Sequence, residues 1–177
     1  MSNVRYTWPA MLLHWLMAGL IVWLLWLGLS MTELPKGAER SAAYSLHKSL
    51  GLLAWLLVVV RLVWRRTHRP PAALGNGWEE QLATAVHHGL YLFMFVAPLA
   101  GYLASSFTPY AIKFFGIELA KAGWPDEGLN GAFKLLHFAF VWGGGGLIAL
   151  HVAGALKHAW QRDGTLQRML PGRLFKN

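Results

Sequence analysis

The chain contains no cysteine. Disulfides, iron–sulfur clusters, thiolate-held metals and haem attached through Cys-x-x-Cys-His are therefore excluded, and any haem must be held by non-thiolate ligands. Charge is also scarce. Charged residues make up 14 % of the chain against 55 % hydrophobic, and the mean hydropathy is positive, which is the composition of a membrane protein. Acids are the scarcer sign, with 8 Asp and Glu against 16 Lys and Arg. A basic balance would suit nucleic acid, but these bases cluster beside apolar spans, where the positive-inside rule accounts for them, so nucleic acid is discounted as a partner. No small-residue cleavage site follows the first apolar stretch, and that stretch is longer than a signal-peptide core, so it reads as a retained helix.

What is present is four apolar spans, at about 8–30, 42–64, 82–105 and 129–160. At roughly 1.5 Å per residue each can cross a ~30 Å hydrocarbon core. The expected fold is an all-α integral membrane protein, one four-transmembrane-helix bundle domain over residues 1–177. Ten Trp, nine Phe and five Tyr supply packing faces and aromatic belts among membrane lipid. The run Arg65-Arg66-Thr67-His68-Arg69-Pro70-Pro71, continuing through Gly75-Asn76-Gly77, is rich in helix breakers and reads as a loop. Pro98 predicts a kink in the third span. Residues 107–130 are too polar to cross, and Ile112-Lys113-Phe114-Phe115-Gly116-Ile117 reads as a segment lying in the interface. Ten of the 16 basic residues fall on the side that carries both termini, with three of the 8 acids. That side is expected to be cytoplasmic.

The stretch 134–158 organises the rest. His137 and His151 stand fourteen residues apart in an uncharged run. Fourteen residues is close to four turns, so both imidazoles leave one helix face about 21 Å apart along the axis. Gly144 lies midway on that face, inside Gly143-Gly144-Gly145-Gly146, where four residues of poor helix propensity ask for a bulky group against the backbone. Histidine in a bilayer usually faces the bundle interior and binds something, and neutral imidazole is a common axial ligand of haem iron. The expectation is a helix serving two haems. His14 enters from the cytoplasmic side and His47 from the other, so depth pairs His14 with His151 and His47 with His137. Two bis-histidine sites leave no open iron position, which favours electron transfer over oxygen binding. Arg61, fourteen residues after His47, has two readings: a snorkelling interfacial arginine, or a planar fork pairing with a haem propionate.

These residues carry a resemblance. His14-Trp15, His47, Arg61, His87, the 134-to-137 and 151-to-158 spacings, and the tail Gly164-Thr165-Leu166-Gln167-Arg168-Met169-Leu170-Pro171 together resemble the bacterial di-haem cytochrome b561 family, over all four spans and nearly the whole chain. The resemblance implies an inner-membrane protein with two haem b, axially ligated by His14, His47, His137 and His151. It further implies superoxide oxidase activity: superoxide oxidised to dioxygen at the periplasmic face, with electrons passing through both haems to ubiquinone near the cytoplasmic face.

Within that reading, Lys48 and Lys134 sit beside the outer histidines and would raise the on-rate of a small anion such as superoxide; the competing account is ordinary interfacial lysines. His158, two turns beyond His151, could relay protons to a quinone, or only satisfy the helix end. His87 could meet a propionate or the quinone, or merely pack. Trp15 and Trp160 could flank a quinone ring, or belong to the aromatic belts. Two other functions share the composition: a cytochrome b electron-transfer subunit linking the quinone pool to a periplasmic redox partner, and a small transporter or structural bundle binding no haem.

Overall fold

The computed structural model describes residues 5–72 and 77–170. Gly75, Asn76, Pro171, Arg173 and Lys176 lie outside the described residues. Helices α1 (Trp8–Glu33), α2 (Ala38–Thr67), α3 (Trp78–Ser106) and α4 (Glu127–Gln161) run alternately up and down, and each is long and apolar enough to cross a membrane. Their starts follow from local chemistry. Pro9 occupies the first turn of α1, where its missing N–H costs nothing. Glu79 and Glu80 sit in the first turn of α3, within the positive field of the helix start. Asp126 caps α4, its carboxylate accepting the Leu129 N–H at 2.8 Å. The helix ends at Arg162, which takes a left-handed conformation at φ 52°.

All four helices run beyond the apolar spans. Hydropathy marks the part of a helix that needs hydrocarbon, whereas the backbone ladder continues into polar turns such as those around Glu39 and Arg66. Pro98 does not break α3, which continues to Ser106.

α3 packs most extensively on α4, α1 on α2, and α2 on α3. The α3 face is built from Phe93, Ala97, Ala100 and Ala104, whose small members let neighbours approach closely. No substantial packing joins α4 to α1 or α2, and Gly144 is the one fully buried residue of α4. The bundle is therefore open between α4 and the first two helices.

Residues 112–119 depart from the expected interfacial segment. They form an antiparallel hairpin, β1 (Ile112–Phe114) and β2 (Ile117–Leu119), turning at Phe115 (φ 47°) and Gly116 (φ 93°). Positive φ at both central residues matches the twist of a two-residue hairpin. The hairpin docks on α2: Ile112 is only 1 % exposed, and buried Ser49 accepts the Phe115 N–H at 3.0 Å while lying 3.2 Å from the Lys113 carbonyl. This hairpin end is closed by Asn130 Nδ2 donating to the Ala104 carbonyl at 2.6 Å and by Lys121 donating to the Thr108 carbonyl. The opposite, terminal end is tied by Trp15 Nε1 donating to the Met169 carbonyl at 2.9 Å and by a 2.7 Å Lys157–Glu79 ion pair.

Candidate functional site

Two histidine pairs span the open side of the bundle. At the hairpin end the rings of His47 and His137 have centroids 6.2 Å apart and planes at 86°. At the terminal end His14 and His151 stand 6.1 Å apart with planes at 70°. Each pair joins α4 to a helix on which it does not pack, so the rings face across space and not through a helix contact. Two imidazoles bound through one nitrogen each to opposite sides of a metal, at roughly 2.0–2.1 Å, have ring centres about 6 Å apart. Among the described residues, no three His, Cys, Asp or Glu gather as a chelating set. Two histidines are too few for a bare structural metal, but they suffice for an iron that arrives with four in-plane nitrogens.

The hairpin-end rings are held by absent side chains. A Cβ on Gly28 of α1 would lie 3.1 Å from His47 Cε1, and one on Gly101 of α3 would lie 3.2 Å from His137 Nδ1. Lacking that Cβ, α3 lets His137 Nδ1 reach the Ala97 carbonyl one turn back, at 2.7 Å. A carbonyl only accepts, so Nδ1 carries the hydrogen and Nε2 keeps the lone pair that binds a metal. His47 Nδ1 is buried without a partner. Gly51, a turn beyond His47, faces no protein atom within 4 Å.

Arg61 belongs to the terminal-end pair and does not snorkel. Its Nε donates to the Tyr91 hydroxyl at 3.0 Å, its Nη2 lies 3.4 Å from His14 Nδ1, and its Nη1 is buried with no partner. A half-buried guanidinium with no carboxylate paired to it among the described residues calls for an anion. The His14 contact is long. A metal on His14 Nε2 would put the hydrogen on Nδ1, facing the guanidinium, so Arg61 would have to turn to another acceptor. A propionate would serve. The orphaned nitrogens, the spacing of the rings and the open side of the bundle all fit haem.

The other residues singled out above fall into three groups. His87 touches His151 edge-on at 5.2 Å, closer than either facing pair, so it flanks His151 and does not oppose it. Lys48 and Lys134 lie near enough to feel each other's charge, and neither makes an ion pair among the described residues. His158 Nδ1 meets Asp163 Oδ2 at 2.5 Å. Slight burial works against ionisation of Asp163, but hydrogen bonds from the Thr165 backbone N–H and from His158 outweigh it and hold the carboxyl below the usual carboxylate range.

The bulky group packed on the Gly144 backbone is the ring of Phe93 from α3, which a Cβ there would strike, so the glycine serves the α3–α4 contact. A Cβ added at Gly143, Gly145 or Gly146 would meet no neighbouring element among the described residues within 4 Å. Trp160 is 91 % exposed, and the Trp15 indole N–H donates to the Met169 carbonyl. Sequence reasoning missed Gly101, Tyr91 and Asp163. For Asp163 a signal existed, an acid five residues after His158 just past the helix end; for Gly101 and Tyr91 only the fold reveals the neighbour.

The family model for prokaryotic cytochrome b561 matches residues 5–172. Cytochrome b561 homolog 2 of Escherichia coli (strain K12) is 35 % identical over 162 residues, covering 89 % of this chain and 86 % of that protein. Cytochrome b561 homolog 1 of the same organism is 29 % identical over 146 residues, covering 78 % and 81 %.

Proposed function

Because the chain belongs to the prokaryotic cytochrome b561 family, and is thereby a membrane electron-transfer protein of a b-type haem family, we propose that it oxidises superoxide to dioxygen at the hairpin end and reduces ubiquinone at the terminal end. The carrying observation is the matched pair of histidine spacings, 6.2 and 6.1 Å, at opposite ends of one open face. In this reading His47 and His137 hold one haem b, and His14 and His151 the other, with Arg61 pairing to a propionate. Bound haem supplies one-electron exchange between the two ends.

The protein's own residues do the rest. The excess of basic residues on the terminal side supports a cytoplasmic position for that end, in an inner membrane. Lys48 and Lys134, which make no ion pair among the described residues, give an approaching anion a positive entry and raise its encounter rate. Two superoxide anions give up one electron each and leave as two dioxygen. The quinone gains both electrons and needs two protons, taken from the cytoplasmic side. Asp163 accepts from His158 Nδ1, which leaves Nε2 to exchange a proton with the quinone or with water. His87, flanking His151, is the second group able to carry a proton or to hydrogen-bond the quinone.

The test is rapid mixing of the purified holoprotein with superoxide and a short-chain ubiquinone. One quinol should appear for every two superoxide consumed. Lys48→Gln with Lys134→Gln should slow the second-order step roughly three- to tenfold at low salt, the difference closing at high salt. Quinone reduction that requires an added redox protein would sink the reading and point to a subunit serving a periplasmic partner.

A further inference from the structure

Between α2 and α3, at the terminal end, lies a cleft of about 330 Å³, of whose lining the redox reading uses His87 alone. Its walls carry Arg65, Arg66, Thr84, His88 and Tyr91, with Leu62 on the apolar side; His87 also lines it and touches His151. No carboxylate lines it among the described residues. Arg65 is laid over the Tyr91 ring, 5.7 Å from its centroid, and Arg61 lies 6.0 Å from the same centroid, so two guanidinium groups share one aromatic ring. Neither Arg65 nor Arg66 makes an ion pair among the described residues, and Glu79, an acid at this end, is already committed to Lys157. The Tyr91 hydroxyl accepts from Arg61 and so keeps its own hydrogen to donate.

Arg61, Arg65 and Arg66, three like charges within two turns, repel one another unless an anion joins them. The cleft stands where the last turn of α2 leaves the apolar span, at headgroup depth, and basic pockets between helices at that level suit lipid phosphate. We propose that this cleft is a specific site for the phosphate of an anionic phospholipid, held by Arg65 and Arg66 and by the hydroxyls of Thr84 and Tyr91, with an acyl chain running along Leu62. Arg61, one turn deeper, is left for the haem propionate. The proposal is independent of superoxide and quinone.

The experiment is native mass spectrometry of the delipidated holoprotein in neutral detergent, titrated with phosphatidylglycerol, phosphatidylcholine or inorganic phosphate. One phosphatidylglycerol per chain should be retained, with an affinity about tenfold above that for phosphatidylcholine, and inorganic phosphate should not displace it. Arg65→Gln with Arg66→Gln should abolish the preference at unchanged haem content, while Arg69→Gln, an exposed arginine of the following loop, should keep it. Should the double variant lose its fold, His88→Gln with Thr84→Val is the second variant, and the wild-type lipid ranking stands by itself. Equal retention of both lipids, or equal loss in Arg69→Gln, would reduce the cleft to a diffuse basic surface and overturn the proposal. Displacement by inorganic phosphate would assign the site to free phosphate, and displacement by ubiquinone to the redox site; either also overturns it.

Discussion

Gly28 and Gly51 separate what the protein needs from what a cofactor needs. A side chain at Gly28 presses on the His47 ring, whereas one at Gly51 meets no protein atom. Gly28→Val should therefore displace His47 and lower haem content from two per chain to one, and Gly51→Val should do the same only if a cofactor fills the space before it. Pyridine haemochromogen assay of both variants, with helix content followed by circular dichroism, checks this; a Gly51→Val protein with full haem content would place that space outside the site. Asp163 makes a pH prediction. Its carboxyl is held below the ordinary value of 3.8, so its bonds to His158 and Thr165 contribute at all pH values above that figure and are lost only as pH falls through the lower folded value. Amide exchange protection at Thr165, whose N–H donates to Asp163 Oδ1 at 2.9 Å, should hold at neutral pH and collapse in acid. Asp163→Asn should weaken it at neutral pH and remove the acid step; a wild-type step near neutrality would contradict the account.

At the scale of elements, the α3–α4 contact turns on one ring set into one gap. Gly144→Ala forces Phe93 off its place, and overpacking of this kind costs about 1–3 kcal/mol. The loss should be largely recovered in the double variant with Phe93→Leu, as read by thermal unfolding; additive losses would show that the two do not touch. The four helices were legible because a span of the required length with almost no charge has few alternatives. So was the meeting of His14 with His151 and of His47 with His137, since alternating helices turn position along the chain into depth. The hairpin at Ile112–Leu119 was not legible: three-residue strands have no periodicity to read, and their anchor is Ser49, more than sixty residues away. The Phe93 contact of Gly144 was not legible for a related reason, since a helix sequence declares a gap without naming what fills it.

The whole molecule is a bundle closed on three of its contacts and open along α4, with facing imidazoles at two depths of the opening. In a soluble protein such an opening would collapse. Here α4 keeps one buried residue and leaves its histidines spanning the space; under the proposed function cofactor binding is then part of assembly, and the holoprotein should unfold at higher temperature than the haem-depleted chain. The most direct measurement is haem stoichiometry with a reduced-minus-oxidised spectrum on the purified protein and its four histidine variants. Two haem b per chain are expected, with His14→Ala and His151→Ala removing one and His47→Ala and His137→Ala removing the other. A colourless preparation from haem-replete cells, or a fully loaded one holding a single haem whichever histidine is changed, would contradict the account.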